Sequence, residues 1–359
     1  MLGATLAMGV LLVVGGATPA AAHGGSAEEP PSNYRADITS FDPGVAGVSL
    51  RVVEGTSRLE LANHSASTVI VMGYDGDQYL RVGPDGVFEN ENSGAAYINA
   101  NFSGSGTTPA NVDPKATPKW RQISTEQVAV WHDHRTHWMA ATEAVVERDP
   151  GETHVVNEQW IVPFSIDGRP VQASGTITWV PGPNRALWFL GVAAVTALGV
   201  AACCTSRCHV AVVGAATLVL SACAVDATSA WRLSSAPPTD KLAALVLPAL
   251  AAAAVIVGLV VLRRREQVAV MLLGAGGAAL AVLFGWLSLD LLTYSQVPSA
   301  FDALVARLTV AGALSGGAIL VGALLVQRRQ ELAFLIRPQP NAKSSRRRPP
   351  GAPGAPPVR

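Results

Sequence analysis

Three of the chain's seven histidines fall within the nine residues Trp131–Met139, WHDHRTHWM, where two tryptophans flank them. Imidazole nitrogens ligate transition ions, hold and release protons near neutral pH, or make ordinary hydrogen bonds, and spacing decides between these uses. On a strand, residues two apart share a face, so His132 and His134 would project together while Asp133, Arg135 and His137 project on the other side. A tight turn at Asp133–Arg135 would instead gather all three imidazoles. His132, His134 and His137, with Asp133 and the Met139 thioether, are therefore the candidate ligands, and Met72 is a further soft donor. Imidazole with thioether and no thiolate suits copper, with zinc as the alternative, because copper(II) heads the affinity order for nitrogen ligands. The competing expectation is structural. Trp131, Trp138 and Trp160 would be core residues and the histidines their hydrogen-bonded neighbours, and Arg135 would repel a cation unless a carboxylate offsets it.

His23 is a separate lead. If a signal peptidase cuts after Ala20-Ala21-Ala22, His23 carries both a free amine and an imidazole and becomes a bidentate chelator. Cys203, Cys204 and Cys208 with His209 offer thiolates elsewhere, although cysteines in apolar helices are more often packing residues. Asp226 and Asp290 are carboxylates near the ends of apolar stretches, where solvation and function are equally plausible uses. No catalytic signature is present. The stretch Gly274-Ala275-Gly276-Gly277 lacks a following Lys and reads as helix packing, and neither G-x-S-x-G nor H-E-x-x-H occurs, so the chain is expected not to be an enzyme.

The composition places these residues. Hydrophobic residues make up 49% and charged residues 14% of 359, too apolar for a purely soluble protein. The net charge of zero hides an asymmetry: residues 23–185 hold 20 Asp/Glu and 11 Lys/Arg, against 6 and 15 in 186–359. An acidic first half argues against nucleic-acid binding. All four cysteines lie in the second half, so no disulfide can brace the first.

Residues 1–22 read as a signal peptide and 23–35 as a flexible arm. From 36 to 182 short β-branched segments alternate apolar with polar and are punctuated by Gly55, Asn63, Asp75-Gly76-Asp77, Asp85-Gly86 and Asp167-Gly168. That pattern predicts an all-β sandwich, Ig-like, with a long exposed loop over 89–118. After Pro181-Gly182-Pro183 come five apolar stretches, about 187–204, 210–230, 242–262, 268–289 and 304–326, each near the roughly 20 residues a membrane helix needs. Pro248 should kink the third, and Gly312 with Gly316 should let another helix approach the fifth. If the spans alternate, Arg207, Arg263–Arg265, Arg328 and Arg329 fall on one side with the basic, Pro-rich tail 327–359. That side is then cytoplasmic, and the β-domain lies outside. The expected partners are the lipid bilayer and, through the helices, a second copy of the chain.

WHDHRTHWM, together with Tyr74–Val82, Phe88–Ser93, Trp160–Phe164 and Gly168–Val171, resembles an uncharacterised family of actinobacterial exported membrane proteins. The resemblance covers most of 36–182. It implies an association with envelope copper-handling proteins and carries over no catalytic residue. Function is thus expected to be extracytoplasmic metal handling, or alternatively envelope interaction and assembly around a structural His/Trp cluster.

Overall fold

The computed structural model describes residues 31–55, 58–100, 107–233 and 238–336. The proposed signal segment, His23 and the tail beyond 336 lie outside them. Ten antiparallel strands come first: β1 Tyr34–Phe41, β2 Val48–Val53, β3 Arg58–Asn63, β4 Val69–Met72, β5 Gln78–Gly83, β6 Gly86–Asn90, β7 Trp120–Ser124, β8 Val128–Trp131, β9 His154–Ile166 and β10 Arg169–Trp179. Two short helices interrupt them, α1 Ala95–Ile98 and α2 Ala144–Arg148. The strands form a seven-stranded sheet, β1-β10-β9-β4-β5-β6-β7, and a three-stranded sheet, β2-β3-β8. Leu59, Leu61 and Trp131 of the small sheet pack on Val71, Phe164 and Ile177 of the large one in a single buried cluster. The expected sandwich is therefore present, divided seven to three rather than the four to three of an immunoglobulin constant domain.

Alternation explains the core. Along β3 the side chains of Leu59, Leu61 and Asn63 turn inward and their neighbours do not. The β9–β10 hairpin closes on Asp167 (φ 47°) and Gly168 (φ 82°), the left-handed pair a two-residue turn requires, which is why Asp-Gly marks it in the sequence. Trp160 lies over Gly175, where a Cβ would come within 2.3 Å of the ring, so the largest side chain sits across from the smallest. The 89–118 segment differs from the expected exposed loop. Its first part forms the end of β6 and then α1, and Asn90, Ser93, Ala95 and Asn99 are buried. Asn90 accounts for this: its side chain donates to the Gln78 carbonyl and accepts from the amides of Asn92 and Lys119, tying both ends of the excursion to β5.

Five helices long and apolar enough to cross a membrane follow: α3 Arg185–Cys203, α4 Cys208–Leu233, α5 Pro238–Val261, α6 Glu266–Phe284 and α7 Ala303–Ile336. This is a multi-pass membrane architecture. The fourth span ends at Phe284 instead of 289, because the chain tightens into a 3-10 segment over Trp286–Leu292 that carries the exposed Asp290. Helix α5 runs through Pro248. Small residues set the packing, as expected where lipid removes the hydrophobic drive between helices. A Cβ on Gly316 would meet the Ala215 carbonyl of α4 at 2.7 Å, and one on Gly317 would meet the Gly277 carbonyl of α6 at 2.5 Å. Helix α7 is thus held between two neighbours. Gly312 is less tightly placed, with Leu218 no nearer than 3.8 Å, so the effective pair is Gly316-Gly317 and not the G-x-x-x-G.

The sandwich is fastened to the bundle through the α6–α7 connection. Ser32 and Gln296 exchange backbone hydrogen bonds of 3.1 and 2.9 Å, and the Ser295 amide donates to Asn33 Oδ1 at 2.8 Å. Gly55, in the β2–β3 turn, approaches Val297 so closely that a Cβ would fall 2.2 Å from its carbonyl oxygen. Arg307 of α7 donates to the carbonyls of Leu291, Tyr294 and Ser295, holding the connection from below. Replacing Gly317 by Leu should destabilise the bundle by about 1–3 kcal/mol or more through overpacking. Gly214→Ala, with nothing within 4 Å of the added carbon, should be neutral, and thermal unfolding in detergent compares the two.

Candidate functional site

The histidine segment begins as strand and leaves the sheet. Trp131 ends β8 opposite Leu59 of β3, and three residues later the chain enters a 3-10 helix, His134–Thr136. Asp133 causes the turn. Its backbone is extended (φ −135°, ψ 112°), its side chain accepts from the Arg135 amide at 3.1 Å, and its carbonyl accepts from the Thr136 amide at 2.9 Å and hydroxyl at 2.8 Å. These are the bonds of a helix N-cap, for which Asp is among the preferred residues. The second of the two expected geometries, the tight turn, is the one formed.

Asp133 has 0% exposure and is fully engaged. Arg135 grips it in a fork, Nε to Oδ1 at 2.8 Å and Nη2 to Oδ2 at 2.7 Å, and the Trp131 indole donates to Oδ2 at 3.0 Å. Arg135 also donates to the Met72 carbonyl at 3.1 Å and lies 4.9 Å from the centre of the Tyr74 ring. Burial alone would push the Asp133 carboxyl up. The bonds and charge of Arg135, joined by the Trp131 donor, outweigh burial and hold it below the usual carboxylate range. In this arrangement the Asp133 carboxylate neutralises Arg135. Met139 is 54% exposed, and Met72 meets Arg135 through its carbonyl.

The three imidazoles come together above this pair. His132 is 7% exposed, and its ring stacks on His137 with centroids 4.2 Å apart and meets His134 edge-on at 4.5 Å. His132 Nε2 and His134 Nδ1 face each other at 3.4 Å. His134 Nε2 lies 3.2 Å from the Ile98 carbonyl. A carbonyl only accepts, so in the neutral ring Nε2 carries the hydrogen and Nδ1 turns its lone pair toward His132. The backbone is fixed as well, since the His134 amide donates to the Tyr74 hydroxyl at 3.1 Å. Tyr74 in turn donates to Asn99 Oδ1. Burial, then the Asp133 charge, pushes its phenol up, so it stays a neutral donor.

Tyr74, Asn99 and the Ile98 carbonyl were missed as site residues. Tyr74 sits before an evident turn, and a buried hydroxyl needing a partner was the available signal; nothing in the 89–118 composition marked Asn99. Of the remaining described histidines, His64 is exposed after β3, and His154 Nε2 lies 2.7 Å from the Asp149 carbonyl. Trp131 and Trp160 are core residues, as the structural expectation had it, and Trp138 packs against the same cluster while stacking on Tyr34 at 5.9 Å. Among the described residues no three His, Cys, Asp or Glu groups are arranged to hold a metal ion, and the four cysteines are free thiols in the bundle.

Removing one member of a buried ion pair leaves the other charge uncompensated, so Asp133→Asn should lower stability by about 3–5 kcal/mol. The pH dependence follows from the same carboxyl. Its value is lower folded than unfolded, so its contribution is complete above the unfolded value of about 3.9 and is lost as pH falls through the folded one. Acid unfolding of the sandwich should accordingly steepen below about pH 4 in the parent chain and flatten in Asp133→Asn, followed by tryptophan fluorescence.

Compared with family models, curated proteins and solved structures, the chain matches none.

Proposed function

We propose that the protein is a membrane-anchored envelope protein whose sandwich lies outside the cytoplasmic membrane and binds a transition ion, copper before zinc, for extracytoplasmic metal handling. One observation carries this reading: His132 Nε2 and His134 Nδ1 face each other at 3.4 Å while the Ile98 carbonyl orients the second ring from behind. A carbonyl on the far nitrogen is the usual support for an imidazole ligand, because it fixes both tautomer and direction. His137 stacks on His132 beside this pair. Arg135 does not oppose the ion, since Asp133 already neutralises it. His23 would be a second donor only where cleavage exposes it.

Orientation is inferred from charge. Arg207, Arg263–Arg265 and the Arg328-Arg329 pair belong to the bundle end away from the sandwich, the arrangement expected when basic loops stay in the cytoplasm. The resemblance to exported actinobacterial proteins points to the same side and to a copper-handling partner. A second reading, an envelope interaction module, draws on the Trp131–Asp133–Arg135 network, which closes the segment without an ion.

Titration of the full chain in detergent with copper and zinc separates the two. Metal handling requires stoichiometric binding that disappears in a His132→Ala, His134→Ala, His137→Ala triple variant with unchanged folding; undiminished binding in that variant overturns it. Protons compete with metal for the same lone pairs, so bound ion should be released on acidification.

A further inference from the structure

We infer that the segment 138–145, which follows the histidine turn, is a lipid-contact site: it rests in the headgroup layer of the leaflet on the sandwich side, beyond the edge of the bundle. Placement is the first observation. The strand ends nearest the bundle are the start of β1 and the end of β10, because Asn33 accepts from the amides of Val180 and Ser295 at 2.8 Å each, and Gly182 lies against the Thr293 carbonyl. Tyr34 and Trp179 stand at those two ends and gather Trp138. Tyr34 stacks on Trp138 at 5.9 Å and meets Trp179 edge-on at 5.1 Å. From Trp179 the chain runs through 180–184 straight into α3, the span with 6% of its apolar window buried inside the protein and with its contacts chiefly on α7 and α4. The aromatic trio therefore stands over the rim of the bundle, where the layer below is lipid and not protein.

The second observation is what the segment exposes. Every residue from 139 to 145 is exposed, and most are apolar: Met139-Ala140-Ala141, then Ala144-Val145. These side chains are held outward by their surroundings. The Trp138 indole donates to the Ala141 carbonyl and the Trp179 indole to the Pro150 carbonyl, both at 3.1 Å, while Val146 is buried at 1% exposure and pins α2. A segment braced at both ends cannot turn Met139 and Val145 onto the core, so they persist as an apolar surface that calls for a cover. Val155, 56% exposed and paired with Thr178 beside Trp179, extends it. Aromatic rings whose polar tips are satisfied, set among short apolar side chains, match the boundary between headgroups and acyl chains. The segment and the residues up to Pro150 carry Glu143, Glu147 and Asp149 against Arg148, so a zwitterionic layer fits better than an anionic one.

The test is photolabelling of the full chain, one copy per phosphatidylcholine nanodisc, with a phosphatidylcholine that carries a carbene precursor near its glycerol backbone. Peptides covering 138–147 should carry lipid adducts, as the span ends do. The Asp167-Gly168 turn lies at the other end of β10, about 30 Å away, and should carry at least about tenfold fewer. A Met139→Asn, Val145→Asn double variant should lose at least about fivefold of the adducts in 138–147, with span labelling and thermal unfolding unchanged. Adducts confined to the spans, or equal at both ends of the sandwich, overturn the inference. So does labelling of 138–147 that the double variant leaves intact.

Discussion

The head of the protein is organised by one buried charge pair. Asp133 and Arg135 are separated by a single residue, and on a strand they would point to the same side as two solvated groups. Folded, the carboxylate is removed from water entirely and survives as an anion only because the guanidinium fork and the Trp131 indole replace its hydration. That requirement dictates the turn, since no extended backbone could bring the two side chains and the Arg135 amide to the same oxygens. The turn in turn dictates where three imidazoles go. The geometry at the histidines is thus a consequence of electrostatics one residue away.

The parts of the fold governed by local rules were legible in the sequence. Strands with period-two burial such as β3, the Asp167-Gly168 hairpin and the five apolar helices each follow from a short window, because alternation, left-handed turn residues and span length are local properties. The inclusion of residues 90–99 in the site was not legible, since it depends on Asn90 reaching Gln78 across β5 and β6. Polar residues in such a stretch look the same whether their partners are water or backbone. Only the three-dimensional partner list distinguishes them. The histidine segment lay between these cases: both a strand and a turn fitted its spacing, and the choice rested on which competitor for the Asp133 oxygens was nearest.

In the bundle the informative residues are the ones with least side chain. Gly316 and Gly317 allow α7 to touch α4 on one side and α6 on the other, and Gly276 and Gly277 do the same for α6 between α5 and α7. Helix α3 stands apart from this, with 6% of its apolar window buried inside the protein. Its remaining surface is left to lipid.

The clasp between Ser32 and Gln296, the seat of Gly55 on Val297 and the grip of Arg307 on three carbonyls leave the sandwich little room to swing. A head on a loose stalk could sweep a wide volume. This one is mounted like a fixed fitting at constant height over the bundle, so any molecule that engages it must approach from a set direction.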